Sequence, residues 1–229
     1  LQNGYSKAAA AGILGNIANE SAFNPRVLQG GTVVDENFIA YVVGKGKTFS
    51  GGFGLVQWTT ASRVAYLQKF ADNNNEKVTS LSLQLKFILK ELKDYGLGPD
   101  ILNQYDVAGA TKIIFDKYEG PGDDTLPKRT ESAEEYYNNL APSNTGLTDQ
   151  SKSAFCLNDN IMDYLDGSGF VYYFQCDPSW SSLHFGTGGI NGNAGGTICG
   201  SGCGPTSFAT IASNLLQQKI TPDQTTDIA

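Results

Sequence analysis

The chain opens with a helix of small residues, and that helix constrains the rest. Residues 7–23 read Lys-Ala-Ala-Ala-Ala-Gly-Ile-Leu-Gly-Asn-Ile-Ala-Asn-Glu-Ser-Ala-Phe. Ser6 offers a cap, and Ala8, Ala9, Ile13, Leu14, Ile17 and Ala18 recur at helical spacing to give a buried face. Gly12 and Gly15 weaken the helix intrinsically, but without a Cβ they let another backbone approach closely. Asn24-Pro25 disfavours αR at Asn24, so the helix stops by about Phe23. One carboxylate, Glu20, is left in the last turn, where the helix dipole disfavours negative charge. Such a helix is predicted to lie beneath its neighbours and to hold Glu20 at its end.

The remaining sequence supplies the neighbours. Thr32–Ser50 is rich in β-branched and aromatic residues, with Gly44-Lys45-Gly46 as a turn, and is predicted to form a small antiparallel hairpin. Gly51-Gly52-Phe53-Gly54-Leu55-Val56-Gln57-Trp58-Thr59 is a tight, close-approaching loop, and Thr59 or Thr60 caps the next helix. Helices are predicted at 61–73, with Val64, Leu67, Phe70 and Ala71 inside, and at 80–95. The second has Leu81, Leu85, Ile88, Leu89 and Leu92 inside, and Lys86, Lys90 and Glu91 outside. Further helices are predicted near 100–104, at 107–118 and at 129–139, with a Gly-Pro turn at 120–124.

With 229 residues, two domains are expected. Residues 141–153 are polar and turn-rich, and the expected organisation is a domain over 1–140, a linker over 141–169 and a segment over 170–229. A net charge of −7 offers no basic stripe for phosphates, which excludes nucleic acid as the expected partner. No apolar run reaches a membrane span. The chain begins at Leu1, so it reads as a mature form or an excised fragment. All four cysteines (Cys156, Cys176, Cys199, Cys203) fall in the last third. Their spacing does not suit zinc. A disulfide among the first three, leaving Cys203 free, is expected, and it implies an oxidising, extracytoplasmic setting.

Two constellations carry chemistry. Glycosidic cleavage needs an acid still protonated near neutral pH, and apolar burial raises a Glu from about 4.3 to about 6 or more. Glu20 has a helix end and apolar neighbours for that task. Glu20-Ser21-Ala-Phe-Asn-Pro25, followed by Gly54-Leu-Val-Gln57-Trp58, resembles the lysozyme superfamily. The phage tail lysozyme family is the nearest in pattern. The likeness extends through 61–70, Leu83–Leu92 and Phe115-Asp-Lys-Tyr118-Glu119-Gly-Pro121 to Arg129, and covers roughly Gly4 to Leu140. It implies that Glu20 is the general acid and that Ser21, Gly54, Gln57 and Trp58 line a saccharide cleft. An amide pairs with sugar hydroxyls as donor and acceptor, and an indole offers a flat plate, so Gln57 and Trp58 suit that role. Asp35, Glu36 and Glu119 are the candidates for a second carboxylate, which acts as base or nucleophile.

The second constellation is Cys203 at a helix start, before Gly-Pro-Thr-Ser207. A thiol there becomes a thiolate more readily. With Gln175 upstream as an oxyanion-hole candidate, it resembles papain-like cysteine peptidases of the bacteriocin-processing type. Such peptidases need a His after the Cys. The only His is His184, which lies before it, so peptidase activity is not expected of this chain.

The expected fold is therefore α+β: a mostly helical lysozyme-like domain with a small hairpin, followed by a partial papain-like segment. The expected function is cleavage of the β-1,4 bond between N-acetylmuramic acid and N-acetylglucosamine in bacterial peptidoglycan. A lytic transglycosylase and an idle wall-binding module are the alternatives. No metal or organic cofactor is implied. The expected location is extracellular or the cell envelope, secreted or on a phage tail.

Overall fold

The computed structural model describes residues 4–45, 51–59, 61–120, 124–140, 170–185, 196–226 and 228. The expected linker, Cys156 and Thr60 lie outside these residues. Helix α1 (Lys7–Ser21) is capped by the Ser6 hydroxyl, which accepts from Ala9 N, and it ends in a left-handed Ala22. A cap of this kind is worth about 1 kcal/mol. Of the predicted face, Ala9, Ile13, Leu14 and Ile17 are buried, whereas Ala8 and Ala18 are partly exposed and Ala10 and Ala11 are buried in addition. The two glycines set how closely α1 is crossed. A Cβ on Gly12 would lie 2.9 Å from Thr111 N, and one on Gly15 would lie 2.6 Å from Arg129 O. Both contacts are closer than real Cβ atoms come, so α6 (Val107–Ile114) and α7 (Leu126–Asn139) rest directly on the α1 backbone.

The predicted hairpin is instead a helix, α2 (Glu36–Gly44). Asp35 caps it by accepting from Phe38 N at 2.9 Å. Ile39 and Val42, three residues apart, are its buried positions, while Phe38 and Tyr41 are exposed. The apolar period is helical, and it overrides the β-branched composition on which the strand reading rested. Among the described residues, β pairing is limited to isolated bridges: Val27 with Val33, Leu28 with Phe53, Phe53 with Trp58, and His184 with Thr197.

Helices α3 (Ala61–Asn74), α4 (Leu81–Asp94), α5 (Pro99–Leu102), α6 and α7 follow the predicted order. The 107–118 helix differs at its end. After Ile114 it widens into a π turn, Phe115–Glu119, closed by a left-handed Gly120. Helix α4 also departs from expectation at one position. Glu91, placed outside by the sequence reading, is buried at 8% exposure.

The C-terminal segment shares the apolar core of the N-terminal helices. Helix α8 (Ile198–Ser201) leads into α9 (Cys203–Leu216). Phe208 of α9 meets Phe23 edge-on at 5.2 Å and Tyr136 at 4.9 Å. Tyr5 N donates to Leu215 O at 2.9 Å. A second small cluster joins Val171, Tyr173, Trp180, Ile198 and Ala209. Asn214 braces that side by pairing with both the N–H and the C=O of Val171. Cys176 and Cys199 form a disulfide and Cys203 is free, in line with the sequence reading. Closing the loop between them, a sequence separation of 23, stabilises by about 3 kcal/mol in the chain-entropy account. No helix among the described residues is long and apolar enough to cross a membrane.

Candidate active site

A cleft of about 710 Å³ opens at the C-terminal end of α1. Its walls come from four places. The end of α1 gives Asn19, Glu20 and Ser21; the loops around Val27–Gly31 and Gly52–Thr59 give one rim; α3 gives Arg63; and the π turn and α7 give Glu119, Lys128 and Arg129.

Glu20 is the carboxylate of the α1 terminus, and its side chain is 16% exposed. Arg129 of α7 forms an ion pair with Glu20 Oε1. The same guanidinium reaches Asn16 Oδ1 at 3.3 Å and Asn16 O at 3.4 Å, and its Nε donates to Thr125 Oγ1 at 3.0 Å. Arg129 is buried at 4% exposure, so this pair is little screened by solvent. The bare backbone at Gly15 makes the pairing possible, because it lets the first turn of α7 sit against α1.

Glu119 faces the same cleft. The residue is half-buried, but its Oε1 is sealed from solvent without a hydrogen-bond partner. Burial, reinforced by the negative charge of Glu20, pushes its carboxyl up to about 8, against the opposing pull of Arg129 and Arg63. Glu119 therefore carries its proton at neutral pH. The cleft therefore sets a protonated Glu119 beside Glu20 and its Arg129 partner.

The loop opposite is tied down by side chains. Ser21 Oγ donates to Leu55 O at 2.9 Å and so staples α1 to the loop. Gln84 Oε1 accepts from Leu55 N at 3.0 Å, and its Nε2 donates to Pro25 O at 2.7 Å and Val78 O at 2.9 Å. Gly54 has φ +75°, and a Cβ there would lie 2.6 Å from Gln84 Oε1, so glycine is required on both counts.

The part of the chain that carries this site matches a known family, phage tail lysozyme, over residues 1–140. The chain belongs to the phage tail lysozyme family. It is also similar to Morphogenesis protein 1 of Bacillus phage B103, with 34% identity over 149 residues. That match covers 61% of this chain and 36% of the relative, so the chain spans about a third of the length of the curated protein it matches.

Within this phage tail lysozyme fold, the predicted site residues divide. Glu20, Ser21, Gln57 and Glu119 come together at the cleft. Gln57, at φ +48°, spends its Nε2 on Gly54 O and Val27 O, so its amide also shapes the loop. Trp58 is not at the surface. It is fully buried, packs against Phe87 at 5.7 Å and donates Nε1–H to Glu91 Oε2 at 2.8 Å. Its indole is core rather than a plate for sugar, because the loop turns at Gln57 and sends the next side chain inward. Asp35 and Glu36 are likewise absent from the cleft lining. Asp35 is occupied as the α2 cap, and Glu36 pairs with Lys77 at 2.9 Å. Lys77 and the other hydrogen bonds to Glu36 hold that carboxyl below the usual range, as suits a solvent-facing ion pair. Both depended on the hairpin that became α2.

In the C-terminal segment, Cys203 is exposed at the start of α9. Gln175 Nε2 donates to Cys199 O at 2.9 Å.

Sequence reasoning missed Arg63 and Glu91. Arg63 lines the cleft and binds Glu91 through Nε at 3.1 Å and a terminal nitrogen at 2.9 Å. A signal for Glu91 existed: it stands three residues after Ile88 and four after Phe87, on the apolar stripe of α4. A charge at such a position is buried only when it is paired.

Proposed function

We propose that this chain is a peptidoglycan-lytic enzyme of a phage tail, cleaving the β-1,4 bond between N-acetylmuramic acid and N-acetylglucosamine. The observation that carries the reading is the convergence of Glu20, held by Arg129, and Glu119 on a single cleft. Glycosidic cleavage needs a proton delivered to the leaving oxygen. Glu119 carries a proton at neutral pH, and Arg129 forms an ion pair with Glu20. Both side chains line the cleft, and Glu119 Oε1 is sealed from solvent. Glu20 takes up the proton from Glu119 and donates it to the glycosidic oxygen, which leaves Glu20 as the carboxylate paired with Arg129 and Glu119 as a carboxylate that recovers its proton from solvent. Arg63 and Lys128 line the same cleft, where they can meet the carboxylates of the wall polymer's peptide stems.

A second reading has its own support. Hydrolysis with inversion requires an ionised base on the far side of the sugar. Of the other predicted carboxylates, Asp35 and Glu36 do not line the cleft, and Glu119 is protonated. The sugar's own 6-hydroxyl is then the available nucleophile, and the product is a 1,6-anhydro sugar. A phage tail or extracellular location suits both readings.

The test is digestion of purified peptidoglycan by wild type and Glu20→Gln, with products identified by mass spectrometry. The variant should lose at least about a hundredfold in rate, the scale of general acid catalysis. Equal digestion by the variant refutes the role of Glu20. Free reducing ends mark the hydrolase, and anhydro ends the transglycosylase.

A further inference from the structure

Behind the cleft wall lies a buried carboxylate that the glycan-cleavage reading does not use. Glu91 belongs to α4, which contributes no residue to the cleft lining. Four hydrogen bonds converge on it. Trp58 Nε1 and Tyr118 OH donate to Oε2 at 2.8 and 2.7 Å, and Arg63 donates to Oε1 and Oε2 at 3.1 and 2.9 Å. Each donor is a cleft residue or the neighbour of one. Arg63 itself lines the cleft, Trp58 follows Gln57, and Tyr118 precedes Glu119.

We propose that Glu91 is the positioning residue of this cleft: it fixes the Arg63 guanidinium at the cleft, and it locks α3, the Gly54–Trp58 loop and the π turn to α4. The inference rests on the reading of Glu20 and Glu119 as the working pair. Three arguments support it. Arg63 is gripped in a fork, which sets the plane of the guanidinium as well as its place. The π turn is a widened, weakly propagating end of a helix, and the buried Tyr118 hydroxyl is its tether to α4. The loop, α3 and the π turn all donate hydrogen bonds to Glu91.

The consequence for Glu119 follows from the charges around it. Glu20 from α1 and Glu91 from α4 raise its proton affinity, and Arg129 from α7 and Arg63 from α3 lower it. Tyr118, on its own turn, is neutral, since burial and Glu91 hold its hydroxyl well above the usual range. Removing the Glu91 charge while Arg63 remains tips this balance toward the carboxylate.

The test follows the Glu119 carboxyl by carbon NMR in the full chain, assigned with Glu119→Gln, alongside the pH profile of wall digestion. In Glu91→Gln the Glu119 titration should move to lower pH by about half a unit or more. The alkaline limb of digestion should move with it, and kcat should fall more than KM rises. Adding Arg63→Gln to that variant should return the titration upward. A folded Glu91→Gln whose titration and limb stay in place overturns the proposal and leaves Glu91 a structural group. Should that variant not fold, Arg63→Gln alone carries the test. Its Glu119 titration should rise, and an unmoved titration overturns the proposal. If the wild type digests no wall yet the titration moves as described, the glycan-cleavage reading fails and the positioning role stands.

Discussion

Replacing Glu119 by glutamine should make the protein more stable at neutral pH and nearly inactive. The ordinary value for a Glu carboxyl is 4.5, and in the cleft it is pushed up to about 8. Between those values the native state binds a proton that the unfolded chain does not. Stability therefore falls as pH rises from about 4.5 to about 8, and it levels off above that. At about 1.4 kcal/mol per pH unit, holding the proton at pH 7 costs about 3 kcal/mol relative to an uncharged isostere. Glutamine has the same shape, carries no charge and gives up no hydrogen bond at Oε1, which has none. The gain at pH 7 should be about 1–3 kcal/mol, the lower end allowing for an imperfect fit of the amide. Urea unfolding of wild type and Glu119→Gln at pH 4.5 and pH 7.5 measures it. The two should be nearly equal at the acid pH and separate at the higher one. A stability difference that does not change with pH, or a loss at pH 7.5, refutes the assignment of the proton to Glu119. Wall digestion by the same protein should drop about a hundredfold or more at pH 7.

Other substitutions separate structure from chemistry. Asp35→Ala should cost about 1 kcal/mol through loss of the α2 cap and leave the digestion rate per folded molecule unchanged, as measured by unfolding and turbidity loss of wall suspensions. Gly15→Ala should push α7 away from α1, costing about 1–3 kcal/mol and loosening the Arg129–Glu20 pair. Its digestion rate should fall further than its melting temperature alone explains. Phe208→Ala should destabilise the whole chain by about 3–5 kcal/mol, because its ring fills the space between Phe23 and Tyr136. A single unfolding transition displaced as a unit is the expected observation; two separate transitions would show that the C-terminal segment folds independently.

The legible parts of this sequence were those governed by one local rule. The Ser6 cap, the stop before Pro25 and the close approach at Gly12 and Gly15 follow from covalent geometry and helix ends, and each is found. The 80–95 helix follows from its apolar period. The errors arose where two rules compete. Val33–Val43 has strand composition and helical spacing, and burial of Ile39 and Val42 decides for the helix. Trp58 could have faced sugar or core, and a buried carboxylate 33 residues away decided for core. No local pattern announces that partner. Glu119 was visible as a candidate, but its proton comes from the joint surroundings of α1, α3, α4 and α7, which exist only after folding.

Glu91 and Glu119 are both buried carboxyls, and the fold treats them oppositely. Glu91 receives four hydrogen bonds, two of them from a guanidinium, so its burial is compensated. Glu119 has an oxygen with no partner, a neighbouring negative charge and a retained proton. Tyr118 is adjacent to Glu119 in sequence, and its hydroxyl nevertheless goes to Glu91. An uncompensated polar group costs about 1–3 kcal/mol, so a fold keeps one only where it does something. The compensated carboxylate builds the wall, and the uncompensated one keeps a proton in the cleft beside Glu20. That asymmetry, more than the presence of any single acid, is the structural argument for proton transfer at this site.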